Sequence, residues 1–418
     1  MLSCFLYPPV TLQGTGRFAM IGIETNRGAQ FSCTLLEIFL ERRDFMRLLH
    51  LADLHLGKRV NGFSMLDDQK YILSQILTII DTYTPQAVVI AGDVYDRTIP
   101  PEEAVSLFDH FLVQLSKRKL DVFLISGNHD SAERVAFGNQ LMEASGIHVS
   151  PVYQGEVQPI VLTDAAGEVA FYLIPFLKPV HVRPFFPDAT IEDYTDAMRT
   201  VVDSLKLDAI RRNVAVVHQF VTGAALSGSE ELAIGGLDAV DASVFSPFDY
   251  VALGHLHGAQ RASGDGIRYA GSPLKYSISE RNQNKSVTLV DLGEKGTVNV
   301  QLIPLQPKRD VYQFCGTFED LMARQEVCED YCEIILTDEQ DIPNAMNRLR
   351  ALYPNLMHMA YDNTRTRSQT SVLGARAPLA QPIELFEELY EAQNGQSMND
   401  EQRAYMRELI AEIWEGEQ

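Results

Sequence analysis

The chain has 418 residues, 46% of them apolar and 22% charged, which suits one large domain plus a smaller one, or two to three modest ones. No apolar run approaches the roughly 18–20 residues that cross a bilayer, so no membrane span is expected. The net charge of −21 argues against a broad nucleic-acid-binding surface, because phosphate contacts come from Lys and Arg clusters; bound cations or a partner subunit would have to supply that charge. Five scattered cysteines, Cys4, Cys33, Cys315, Cys328 and Cys332, form no CxxC pair. They read as reduced thiols of a cytosolic protein rather than a disulfide framework or a zinc knuckle.

Residues 1–45 read as a leader, disordered or upstream of a natural start at Met46, with an extra strand and helix capping the domain as the rival. From 46 to 305, strand-like apolar runs alternate with helical patterns. The strands are expected near 47–52, 86–91, 120–126, 168–174, 213–218, 249–254, 286–292 and 298–304. Helices are expected over Leu66–Thr82, Glu102–Ser116 and Ala132–Ala144. This alternation predicts an α/β domain with its site at the carboxyl ends of the strands. Pro304–Pro307 marks a boundary. A small α/β module follows over 306–362, with strands at 310–315 and 331–336 and a helix at 342–352. Residues 363–382, rich in Thr, Ser, Ala and Pro, read as a linker. The tail, 383–418, carries two apolar helical stripes, and Asn399 with Gln402 predicts a capping box between them. Ten acidic residues against two arginines give the tail −8 of the total charge.

Five segments place metal-type ligands just after apolar strands. They are Asp53-Leu54-His55, Gly92-Asp93-Val94-Tyr95-Asp96, Gly127-Asn128-His129-Asp130, His218, and Gly254-His255-Leu256-His257. In an extended segment residues two apart point the same way, so Asp53 and His55 could face one ion, and His255 and His257 could reach neighbouring ions. Each motif alone is weak: a solvated strand end, a capping Asp or a structural histidine would explain it. Together they bring Asp, Asn and His to the strand ends of one domain. Oxygen and imidazole donors without thiolate suit Mn²⁺, Fe or Zn²⁺ in a dinuclear site.

In this order the five motifs resemble the calcineurin-type metallophosphoesterases. The stretches His50–Gly57, His218-Gln219-Phe220-Val221, Phe248–His255 and Arg268–Ser277 resemble the SbcD nucleases within that superfamily, and the resemblance runs from Met46 to the C-terminus. It implies a metallophosphoesterase β-sandwich flanked by helices (α/β/β/α), a small capping domain and a C-terminal helical tail. Asp53, His55 and His257 would hold one divalent ion, Asn128, His218 and His255 a second, and Asp93 would bridge them, with Mn²⁺ the implied metal. His129 matches the catalytic histidine. At Asp96 archaeal and eukaryotic relatives often have histidine; the aspartate resembles the phosphatase branch, which predicts an Asp96–His129 pair.

The implied activity is DNA exonuclease and endonuclease cleavage. The implied partners are DNA, an SbcC-type ATPase docking on 383–418, and a second copy of the chain. A generic phosphoesterase acting on small phosphodiesters or phosphoproteins is the alternative, and a scaffold whose ligands have decayed is a further one.

Overall fold

The computed structural model describes residues 5–6, 21–22, 45–225, 239–364, 366, 383, 386–387, 390–391 and 397–416. Met1–Asp44 and Phe45–Gln418 are separate compact units. In the first, Phe5–Leu6 and Ile21–Gly22 form a short antiparallel pair; the rest of the expected leader, apart from Phe45, lies outside the described residues.

The larger unit is built on strands whose apolar residues alternate between two faces. β1 (Met46–Leu51), β2 (Ala87–Ala91), β3 (Asp121–Ile125) and β4 (Ile147–Val149) run parallel. In the second sheet β5 (Ile160–Asp164) flanks β6 (Gly167–Ile174), β7 (Arg212–His218) and β8 (Tyr250–Gly254), followed by β9 (Gln260–Ser263) and β10 (Ile267–Tyr269). β11 (Ser286–Leu292) returns to the first sheet antiparallel to β1, and β12 (Val298–Pro304) pairs antiparallel with β11 at its edge. The orders are β12-β11-β1-β2-β3-β4 and β9-β10-β8-β7-β6-β5.

One face of each sheet meets the other: Leu48, Val89 and Phe123 pack with Phe171, Val214 and Tyr250 in a shared core. The opposite faces are covered by helices. Leu49, Val88 and Leu124 lie under α1 (Leu66–Tyr83) and α2 (Glu102–Lys117). Ala215, Val217 and Leu253 lie under α3 (Tyr194–Ser204). The architecture is α/β/β/α. Phe123 and Phe171 stack across the central layer with ring centroids 4.0 Å apart. Phe123→Ala should lower the unfolding free energy by ~3–5 kcal/mol. A urea melt that moved by less than about 1 kcal/mol would mean the layer repacks without it.

Two differences from the expected elements have local causes. The helix predicted over Ala132–Ala144 is two short ones, Ala132–Val135 and Asn139–Glu143, because Gly138 between them has φ +74°. β4 and β5 are short or half-exposed edge strands, too weakly patterned to register in the sequence.

After β12, a separate parallel sheet forms from β13 (Val311–Gly316), β14 (Tyr331–Leu336) and β15 (Leu356–Tyr361), with its own core around Ile334, Leu336, Leu349 and Tyr353. Asp68 of α1, fully buried, anchors it: the carboxylate accepts from the Arg309 guanidinium and from the Tyr331 hydroxyl. In the tail, Asn399 and Gln402 exchange both capping bonds, at 2.8 and 3.0 Å, at the start of the helix Asp400–Gly416. The predicted linker, beyond Asn363, Thr364 and Thr366, lies outside the described residues. So do the Leu389, Ile413 and Trp414 side chains of the tail's stripes.

Candidate metal centre

The two sheets present the carboxyl ends of β1, β2, β3, β7 and β8 at one place, and each of the five motifs follows one of those ends or completes it. Four of the seven predicted ligands have left-handed backbone: Asp53 (φ +53°), His55 (+43°), Asp93 (+50°) and His255 (+105°). Left-handed backbone is uncommon outside glycine, although Asp and His tolerate it better than most residues. It persists only where surroundings fix it, which happens mostly at functional sites. The Asp53–His55 segment is therefore not extended, contrary to the spacing argument. The Asp53, His55 and Leu56 N–H groups instead donate to the carbonyls of Gly92, Asp93 and Val94, zipping the β1 and β2 loops together.

Glycines make the close approach possible. A Cβ on Gly92 (φ +83°) would stand 2.4 Å from His218 Nδ1, and one on Gly254 would stand 1.9 Å from the Ala91 carbonyl oxygen.

The donors fall into two groups around one carboxylate. His55 Nε2 and His257 Nε2 are 3.1 Å apart, beside Asp53. Asn128 Oδ1 lies 2.9 Å from His218 Nε2 and 3.0 Å from His255 Nδ1. Asp93 Oδ2 stands between, 3.6 Å from His55 Nε2 and 3.4 Å from His218 Nε2. All seven predicted ligands are thus brought together.

The hydrogen-bond chemistry of these groups fits a pair of cations. His218 Nδ1 donates to the Ala91 carbonyl (2.8 Å), which leaves its Nε2 lone pair facing the Asn128 oxygen. His257 Nδ1 donates to the Glu280 carboxylate (2.9 Å), which turns its Nε2 lone pair toward His55 Nε2. Asp53 Oδ2 is buried with no hydrogen-bond donor among the described residues. Acceptors that face acceptors repel unless a cation or proton stands between them. Donors on ~2.1 Å bonds at right angles to one cation would lie about 3 Å apart, the spacing seen.

The electrostatics agree. Burial, reinforced by the charge on Asp93, pushes the Asp53 carboxyl up to about 7. Burial also opposes charge on Asp93, yet His218, His55 and His129 outweigh it and hold that carboxyl well below its usual range. Against the same burial, Asp93 and Asp53 raise His218 to about 9. Burial and then the His218 charge push His255 down to about 3. The cluster draws positive charge.

His129 sits at the rim with 21% of its side chain exposed, its Nε2 4.0 Å from Asp93 Oδ2. The predicted Asp96–His129 side-chain pair does not form. His129 Nδ1 is 3.2 Å from the Asp96 main-chain carbonyl, while the Asp96 carboxylate is taken by Lys58 Nζ at 2.5 Å. A full ammonium charge so close outcompetes a rim imidazole for the carboxylate.

Several supporting residues went unpredicted. The buried Asp130 carboxylate accepts from the N–H groups of Val94, Tyr95 and Gly127, tying the β2 and β3 loops together. Burial first, then Asp93, lifts it to about 6 despite those donors. Buried Gln69 donates to the His55 carbonyl (2.7 Å), and the Tyr276 hydroxyl donates to that of Leu54 (2.5 Å). Their only sequence signal was a polar residue at a core-facing position of α1, and a tyrosine within the family-like stretch Arg268–Ser277.

Comparison with known proteins agrees with this geometry. The calcineurin-like phosphoesterase profile matches residues 46–259, and the profile described as the type 5 capsule protein repressor C-terminal domain matches 307–394. The chain is 33% identical over 337 residues to the SbcD subunit of the nuclease SbcCD from Staphylococcus epidermidis, covering 78% of this chain and 89% of that one. This chain belongs to the SbcD family of calcineurin-like phosphoesterases. The SbcD subunit from Staphylococcus saprophyticus is likewise 33% identical, over 75% of this chain and 84% of that one. A solved dimetal phosphatase from Danio rerio aligns over 62% of this chain and 96% of that one at 13% identity, with a TM-score of 0.40. As a member of the SbcD family the chain is a metal-dependent phosphoester hydrolase. No described helix is long and apolar enough to cross a membrane.

Proposed function

We propose that this SbcD-family chain is a Mn²⁺-dependent DNA nuclease, a double-strand exonuclease and single-strand or hairpin endonuclease. It would work with an SbcC-type ATPase in DNA end processing, recombination and repair in the cytoplasm. The observation that carries the reading is the convergence of seven buried or half-buried donors into two groups that share Asp93.

In this reading Asp53, His55 and His257 would hold one ion and Asn128, His218 and His255 the other, with Asp93 shared between them. Bound there, two divalent ions would supply Lewis-acid polarisation of the phosphate and activation of a water. The protein's own contribution is placement and proton handling. Asp93 Oδ1 accepts from the His129 N–H (2.9 Å), so the carboxylate at the centre of the site also fixes the histidine beside it. His129, with Nδ1 anchored on the Asp96 carbonyl, offers its Nε2 proton to the departing 3′ oxygen.

The module after residue 306 would restrict how DNA reaches the site, and the acidic tail helices would dock on the ATPase. Dependence on that partner, and a second copy of the chain, for DNA grip fits a chain of charge −21. The test is incubation of the purified chain with Mn²⁺ and end-labelled duplex or hairpin DNA, with and without an SbcC-type ATPase. Chelator-sensitive DNA cleavage that the ATPase stimulates supports the reading. Turnover of a chromogenic phosphodiester with no effect on DNA under either condition would instead favour a small-phosphodiester enzyme.

A further inference from the structure

Behind His257 lies a charged pair that neither the ligand set nor the reaction uses directly. Glu280 is completely buried and Lys285 nearly so. Glu280 Oε1 bonds His257 Nδ1 at 2.9 Å, and its Oε2 takes Lys285 Nζ at 2.5 Å. Three further acceptors share the remaining Nζ protons of Lys285: the His257 carbonyl (2.9 Å), Ser272 Oγ (2.8 Å) and Gln283 Oε1 (2.7 Å). The lysine therefore grips both ends of the arrangement: the carboxylate behind the imidazole, and the backbone that carries the imidazole.

A buried ion pair of this kind gives little net stability over an apolar pair of the same volume, so its presence here asks for another reason. Its geometry supplies one. A carboxylate on Nδ1 fixes the tautomer with the lone pair on Nε2, holds the ring in plane, and makes the imidazole a stronger donor. The other group of ligands has no such support. His218 Nδ1 leans on a neutral carbonyl, Asn128 is uncharged, and His255 Nε2 has no hydrogen-bond partner among the described residues.

We infer that Glu280, clamped by Lys285, is a positioning residue for His257, and that it makes the Asp53–His55–His257 cation site the tighter of two unequal sites. The inference rests on the two-cation reading above, and the experiment separates the two. Replacing both members of the pair by neutral residues of similar volume, Glu280→Gln with Lys285→Met, avoids stranding a buried charge. Mn²⁺ binding to the purified chain would be followed by equilibrium dialysis with metal counting, beside the wild type and His257→Ala. Circular dichroism checks that each variant is folded.

The wild type should bind two ions in distinguishable steps. The double variant should weaken the tighter step by about 10- to 100-fold, the same step that His257→Ala removes, and leave the weaker one unchanged. Unchanged affinity in both steps, or equal weakening of both, overturns the inference while the two-cation reading stands. A wild type that binds no Mn²⁺ overturns the reading itself. Should the double variant fail to fold, Glu280→Asp, which keeps the charge but withdraws it by one methylene, must show the same selective loss.

Discussion

Asp93→Ala is expected to release both cations from the folded chain and to cut phosphodiester turnover by ~10³–10⁴-fold, since Lewis-acid stabilisation is worth several kcal/mol and each ~1.4 kcal/mol is a decade in rate. Asp93 Oδ2 stands between the two groups, within 3.6 Å of a nitrogen on each side. The substitution also removes the acceptor for the His129 N–H, so the rim loop loosens at the same time. Metal counting on the purified variant, with its fold checked by thermal melting, is the measurement. A variant that kept two ions and substantial activity would show that the groups are independent of Asp93.

His129→Asn should do the opposite to the metals and nearly the same to the rate. The hydrogen bond of His129 to the centre is through its main-chain N–H to Asp93 Oδ1, which asparagine retains. Two Mn²⁺ should therefore remain. What is lost is a titratable proton donor at the rim, and general-acid catalysis is worth about 10²–10⁴-fold. The loss should depend on the leaving group. DNA, whose 3′ alkoxide needs a proton, should suffer the full effect. A p-nitrophenyl phosphodiester, whose leaving group departs as a stable anion, should suffer little. Equal losses on both substrates, or full activity on DNA, would remove His129 from the role of proton donor.

The seven candidate donors could be picked out in the sequence because each follows or ends an apolar, strand-like run, and strand ends of an α/β sheet converge by topology. Ala87–Ala91 before Asp93 and Tyr250–Gly254 before His255 are cases in point. The capping box at Asn399 and Gln402 was legible for a similar reason: its signal is local and three residues long.

What escaped was set by tertiary contact. Glu280 ends a short turn, Ile278–Glu280, and Lys285 follows five residues on, with no periodicity to mark either, and they meet His257 only because β8 brings it alongside. Asp96 misled for a related reason. It sits near His129 as expected, but Lys58, from the loop after β1, reaches its carboxylate first. Left-handed backbone at Asp53 and His55 was equally invisible, since it is imposed by hydrogen bonds to the β2 loop rather than by either residue's own preference.

The most direct test is an anomalous-difference map from crystals of the purified chain soaked in Mn²⁺. Two peaks should appear, one among Asp53, His55 and His257 and one among Asn128, His218 and His255, each in contact with Asp93. A single peak, or peaks lying away from that carboxylate, would contradict a shared two-cation centre and the hydrolytic mechanism built on it.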